Sequence, residues 1–201
     1  MMPDSYEAYR KEPAAGAPLV FTFHGTGGNE FQFTRLVAEM LPDAGIVSPR
    51  GDVSEFGALR FFRRRGEGVY DMEDLALRTE KMAGFITAHV AQHPDRPVYG
   101  LGYSNGANIL AAVLFRYPEL FDRAALLHPL IPWTPLPQHG LEHKRILITA
   151  GERDPICPMQ ETEALAQWFR QQEAEVELSL HSGGHEIRQN ELSDLQAFLT
   201  R

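Results

Sequence analysis

Short apolar runs alternate with longer amphipathic stretches along most of this chain, and no other feature restricts its fold so strongly. Leu19-Val20-Phe21-Thr22-Phe23 reads as a buried strand, as do 45–48, 97–102, 124–127, 145–150 and 176–180. Between them lie helix patterns: 31–41, closed by Pro42; 71–89, with Leu75, Met82, Phe85 and Ile86 on one side and Pro94 beyond; a helix after Ser104 carrying Ile109, Leu110, Val113 and Leu114; then 160–171 and 187–199. Strands alternating with helices predict an α/β fold, a mostly parallel sheet with helices on both faces. The Pro-rich stretch 129–137 falls between two such strands and is expected to be a loop of one domain spanning 1–201.

Composition narrows the partners. The 201 residues are 43% hydrophobic, ordinary for one globular domain, and the formal net charge is −8. An acidic chain is a poor match for nucleic acid or for stable attachment to an anionic membrane, both of which reward Lys and Arg. Cys157 is the single cysteine, so no internal disulfide forms. The polar start has no apolar leader core, and no apolar run approaches the roughly 18 residues that span a bilayer, so a cytoplasmic protein is expected.

One junction carries chemistry. Gly102-Tyr103-Ser104-Asn105-Gly106 joins a predicted strand to a predicted helix, the pattern of a nucleophile elbow. The turn must be sharp, and the glycines keep the helix from colliding with the strand while the serine hydroxyl is lifted over the carboxyl end of the sheet. A serine hydroxyl needs a base to take its proton. In this fold an acid and then a histidine follow the elbow in the chain. Asp154 lies just past the strand ending at Ala150, with Glu152 as an alternative in the same loop. His185 follows Gly183-Gly184 past the strand ending at Leu180, and is preferred as base over His181. His128 ends a strand but precedes the acid, and is expected to be a pocket-wall or hydrogen-bonded core residue. The backbone amide of Asn105 and an amide of the loop His24-Gly25-Thr26-Gly27-Gly28, that of Thr26, are the expected oxyanion donors, with His24 bracing the loop.

With these residues in place, the chain resembles the phospholipase/carboxylesterase family of small α/β-hydrolases. The likeness rests on Phe23-His24-Gly25-Thr26-Gly27-Gly28-Asn29-Glu30, Ser48-Pro49-Arg50-Gly51, Arg60-Phe61-Phe62-Arg63-Arg64, Gly102-Tyr103-Ser104-Asn105-Gly106-Ala107-Asn108, Gly151-Glu152-Arg153-Asp154-Pro155-Ile156-Cys157-Pro158 and Gly184-His185. The Arg-Phe-Phe-Arg-Arg and Asp-Pro-Ile-Cys-Pro stretches look like the bacterial subgroup that accompanies hydroquinone- and copper-inducible hydrolases. The resemblance implies an α/β-hydrolase fold without a large lid and ester cleavage by Ser104, Asp154 and His185. It implies no metal or organic cofactor, a small-molecule ester as partner, and a homodimer as often found in the family. Dienelactone hydrolases share the fold but place cysteine at the elbow, so Ser104 argues against their chemistry. Acyl-protein thioesterases differ from this chain over 60–65, which speaks against protein depalmitoylation.

Other residues are weighed as pocket candidates: Gly25; the aromatic residues Phe61, Phe62 and Trp133, against a reading as core; and Arg60 or Arg63, which would favour anionic substrates, against a reading of Arg63-Arg64-Arg65 as a solvated run paired to Glu67, Asp71 and Glu73. His139 and His143 have helical ligand spacing without a partnering carboxylate motif, so no metal site is expected there. Cys157, with Ser104 available, is read as packing. The expected activity is carboxylesterase action on short- to medium-chain esters through an acyl-enzyme, declining in acid as the base is protonated. A lysophospholipase or thioesterase is the alternative, and a non-catalytic ligand-binding relative the remote one.

Overall fold

The computed structural model describes residues 5–201; the first four residues of the polar start lie outside that range. Its centre is a seven-stranded sheet in the order β1-β3-β2-β8-β9-β10-β11. The strands are β1 (Ala8–Lys11), β2 (Leu19–Phe23), β3 (Gly45–Pro49), β8 (Val98–Tyr103), β9 (Arg123–Leu127), β10 (Arg145–Gly151) and β11 (Glu175–His181). Two small hairpins, β4 (Val53–Glu55) with β5 (Ala58–Arg60) and β6 (Arg64–Gly66) with β7 (Val69–Tyr70), lie between β3 and the first long helix. The helices are α1 (Thr34–Met40), α2 (Met72–Val90), α3 (Asn105–Arg116), α4 (Met159–Gln171) and α5 (Gln189–Thr200).

Every pairing in the large sheet is parallel except that of β1 with β3. Parallel strands need helical crossovers, and these cover both faces. The period of two along β2 divides its side chains accordingly. Leu19, Phe21 and Phe23 join the core under α2, α3 and α4, while Val20 faces the layer of Val37, Leu195 and Phe198 from α1 and α5. All five β2 residues are buried, which explains why the strand reads as a continuous apolar run.

The expected strands and long helices are present, with ends shifted by a few residues. Strand β1 and the hairpins are additional to the strands that the sequence pattern predicts. Strand β1, with sequence Ala-Tyr-Arg-Lys, is mostly half-buried and has no apolar run; it forms because the edge of β3 offers backbone partners. The β4–β5 turn places Phe56 and Gly57 at φ 50° and 88°, the left-handed pair a tight hairpin requires, and only Gly57 announces it in the sequence.

Strands β2 and β8 are neighbours, yet β2 leads into α1 on one face and β8 into α3 on the other. Their carboxyl ends therefore open a crevice at a topological switch point, where open α/β sheets place ligands. Beneath it, Phe21 and Phe121 meet edge to face with centroids 6.1 Å apart, both at most 1% exposed. Phe121→Ala is expected to cost about 3–5 kcal/mol in urea unfolding; a loss near the surface-residue range of about 0.5 kcal/mol would contradict this account of the core.

Candidate active site

Ser104 follows β8 and caps α3 with φ 52° and ψ −118°, a strained conformation for a residue with a side chain. Two close approaches make the turn dependent on glycine. A Cβ on Gly106 would lie 2.1 Å from the Phe23 carbonyl oxygen of β2, and one on Gly102 would lie 2.5 Å from that of Gly106. The turn is tied to β9 by the Ser104 amide, which donates to the Leu127 carbonyl at 2.8 Å.

Three side chains from three separate strand ends meet here. The Ser104 hydroxyl Oγ lies 2.9 Å from His185 Nε2, and His185 Nδ1 lies 2.7 Å from Asp154 Oδ2. Because an ionised carboxylate can only accept, Nδ1 carries the proton, leaving Nε2 to accept from the serine hydroxyl. The acid and base loops are joined through their backbones: the Glu152 amide donates to the His181 carbonyl and the Arg153 amide to that of Gly183, at 2.8 and 2.9 Å. Tyr103 fixes the base loop from below, its hydroxyl donating to the His185 carbonyl at 2.7 Å. Glu152, the alternative acid, is exposed.

Asp154 has a fully buried carboxylate. Its Oδ1 accepts from the Ile156 and Cys157 amides at 2.8 and 3.0 Å. Its Oδ2 faces not only His185 but also His128 Nδ1, at 3.0 Å. Burial alone would raise the Asp154 pKa, but donation from His128, the Cys157 amide, His185 and the Ile156 amide holds it below the ordinary carboxylate value. Of the two expectations for His128, pocket wall or hydrogen-bonded core residue, the second holds, with buried carboxylates as the partners. On its far side, Nε2 lies 2.9 Å from Oε1 of Glu191, a residue of α5 that no sequence signal singled out.

Thr26 and Asn105 both line the cleft beside Ser104. Asn105 begins α3, so its amide is one of those a helix leaves without an intrahelical acceptor. The loop bearing Thr26 is braced at several points. The Gly51 amide donates to His24 Nε2 at 2.8 Å, which puts the ring proton on Nδ1, 2.7 Å from the Gly25 carbonyl. Burial holds the His24 pKa below its ordinary value. Arg60 donates to Thr26 Oγ1 at 2.9 Å, and the Asn105 side chain accepts from the Phe61 amide at 2.8 Å. Further out, Arg50 grips Glu30 through two nitrogens.

The substrate-contact expectations need correction. The cleft, of about 320 Å³, is lined by Arg60 and Arg64 but not by Arg63, which points away to pair with Asp71 and Asp74. Phe61 and Phe62 are fully buried: Phe61 packs on His24 and Phe23, and Phe62 packs on Tyr70. Trp133 stands one layer back, behind Tyr70. Gly25 is buried against the Tyr103 ring, where a Cβ would approach to 2.7 Å. The chain bends at Phe61 and Phe62 between β5 and β6, both of which turn into the core, so the arginines of this run do not all face one cleft. Cys157 is buried, its thiol donating to the His128 carbonyl at 3.2 Å, and burial pushes its pKa up.

Among the described residues, two sets of side chains have ligand atoms close enough to share a metal ion: His128, His181 and Glu191, and His128, Asp154 and His185. In both, contacts of 2.7 to 3.0 Å already link these atoms to one another. Among the described residues, no helix is long and apolar enough to cross a membrane.

Comparison with known proteins agrees with this architecture. The putative hydrolase MhqD of Bacillus subtilis is 38% identical over 175 residues, covering 86% of this chain and 88% of that protein. A Bacillus cereus carboxylesterase superposes with a TM-score of 0.92 at 32% identity, covering 96% of this chain and 93% of the other. Atu2452 of Agrobacterium tumefaciens, a protein of unknown function, superposes with a TM-score of 0.93 at 54% identity, covering 99% and 98%. The family model of the dienelactone hydrolases matches residues 6–191. The serine at the elbow bears on the nucleophile and not on membership: this chain is a hydrolase of α/β-hydrolase fold and belongs to the dienelactone hydrolase family.

Proposed function

We propose that this hydrolase is a serine carboxylesterase that cleaves short- to medium-chain carboxylic esters through an acyl-enzyme. The observation that carries this reading is the unbroken run from Ser104 Oγ to His185 Nε2 at 2.9 Å and from His185 Nδ1 to Asp154 Oδ2 at 2.7 Å. His185 takes the hydroxyl proton as Ser104 Oγ attacks the ester carbonyl, and Asp154 holds the imidazole in the tautomer that can do so. The Thr26 and Asn105 amides meet the negative charge that develops on the carbonyl oxygen. The tetrahedral intermediate collapses by breaking the bond to the alcohol, which leaves with the proton from His185. Water then gives its proton to His185, attacks the acyl carbon and releases the acid, and Ser104 recovers its hydrogen. The small cleft favours a small-molecule ester; the B. cereus relative is named a carboxylesterase and MhqD a putative hydrolase.

A second reading concerns substrate charge. Arg60 and Arg64 share one carboxylate, that of Glu55, at 3.3 and 3.0 Å, so the cleft wall carries more guanidinium than its own counter-ion neutralises. Glu67, also at the cleft, is exposed and its charge is screened by water.

A fluorophosphonate probe is expected to label Ser104 and to leave Ser104→Ala unlabelled. Hydrolysis of p-nitrophenyl esters should fall by about 10⁶-fold in that variant. Across a chain-length series run beside acyl-CoA and lysolipid substrates, short and medium esters should give the highest kcat/KM. Preference for lysolipid or thioester would make the chain a lysophospholipase or thioesterase with the same three residues. For substrate charge, Arg64→Glu is expected to lower kcat/KM for a hemisuccinate ester more than for its neutral counterpart; an equal fall would sink that second reading.

A further inference from the structure

Beyond the Asp154 carboxylate the hydrogen-bonded chain does not end. His128 directly follows β9 and is fully buried, with its backbone at φ 49°, a left-handed conformation that is unfavourable for a residue with a side chain. One of its ring nitrogens lies 3.0 Å from Asp154 Oδ2 and the other 2.9 Å from Glu191 Oε1. An ionised carboxylate can only accept, so a dry imidazole between two of them is satisfied on both sides when both nitrogens carry protons. Glu191 is itself fully buried. It stands in the first turn of α5, and its other oxygen accepts from the Arg188 amide at 2.7 Å, as a glutamate reaching back to a helix cap does. A capping role alone would be served by an exposed glutamate; here the side chain is sealed under the site with one oxygen facing His128.

The remaining titratable neighbours are consistent with a cation at this point. His181 accepts from the Gly183 amide on Nδ1, which leaves its proton on Nε2, 3.0 Å from Glu191 Oε2. That contact is too bent to count as a hydrogen bond. The rings of His181, His185 and Tyr103 lie 5.5, 5.2 and 5.9 Å from that of His128, and the Cys157 thiol meets its carbonyl. Burial works against a charged His128, yet Glu191 and Asp154 outweigh it and hold the imidazole above its ordinary value, while Glu191, also opposed by burial, is held below its own.

We propose that His128 is a positioning residue of the reaction centre, locked as an imidazolium between Asp154 and Glu191, and that Glu191 is the anion that keeps it charged. The inference rests on the roles given above to Ser104, His185 and Asp154. His128 donates to Oδ2, the same oxygen that receives His185, so two donors fix the plane of the carboxylate on which the base depends. The two carboxylates and one imidazolium together hold a single net negative charge for the protonated His185 of the transition state to meet. No proton leaves His128 during turnover: the serine proton passes to His185 and on to the alcohol.

The charge of His128 can be read in the unmodified protein. With 15N-labelled histidine at pH 7.5, its ring is expected to show two N–H protons, and a neutral ring with one overturns the proposal. Its function is read in His128→Gln and Glu191→Gln. Active sites are counted by fluorophosphonate labelling taken to completion, and kcat and KM are measured on p-nitrophenyl acetate. Per labelled site, kcat should fall by about 10- to 100-fold with KM little changed, the scale of a misplaced catalytic group. His128→Asn, which returns an amide donor towards Asp154, should recover part of the loss. A merely structural role would lower the labelled fraction and the Tm while leaving kcat per site at the wild-type value, and that outcome overturns the proposal. Should the variants not fold, the N–H count on the unmodified protein decides alone. Failure of the esterase reading looks different: the unmodified protein itself would then take up no probe at Ser104.

Discussion

The carboxylate of Asp154 ties together the loops after three strands of the sheet. Its two oxygens collect donors from the base loop, from the end of β9 and from two amides of its own loop. A buried carboxylate left short of partners would be protonated or would unfold its surroundings, since an unpaired buried charge costs several kcal/mol. The loops after β9, β10 and β11 are therefore held in register by one need, the solvation of a single negative charge by protein in place of water. That same need aims an oxygen at His185, whose other ring nitrogen lies 2.9 Å from Ser104 Oγ. Stability and chemical readiness are one arrangement here.

The other half of the site depends on backbone contact rather than charge. Helix α3 begins against the Phe23 carbonyl of β2 because Gly106 has no Cβ, and the Ser104 amide holds the turn to β9. The strained dihedrals of Ser104 are sustained by this packing from both sides. Across the crevice, His24, Arg60 and the Glu30–Arg50 pair stiffen the loop that carries Thr26. A loop braced in this way holds its amides in fixed directions, the preorganisation that the oxyanion role proposed for Thr26 would need.

Much of this was legible in the chain. Parallel strands buried on both faces must be continuously apolar, so 19–23 and 145–150 declare themselves, and α2, α3 and α4 follow from helical spacing. The order of Ser104, Asp154 and His185, each past a strand, is enough to place those three residues on one rim. Less legible were elements stabilised by pairing alone. Strand β1 and the two hairpins have no hydrophobic period long enough to read, because a half-buried edge takes its shape from its partner strand.

Side-chain direction was less legible still. Arg60 and Arg63 look equivalent in the sequence, yet one lines the cleft and the other pairs with Asp71 and Asp74 outside it. Phe61 and Phe62 are core, and their aromatic character is spent on packing. Glu191 could not be found by motif, since it reaches His128 across 63 residues of chain and otherwise resembles a helix-capping glutamate. The sequence by itself determined the layered sheet, the elbow and the order of the three residues, because those follow from local periodicity and from turns only glycine permits. The tertiary structure alone decided which groups line the cleft and which surround Asp154, because buried charges take their partners from whatever elements the fold brings alongside.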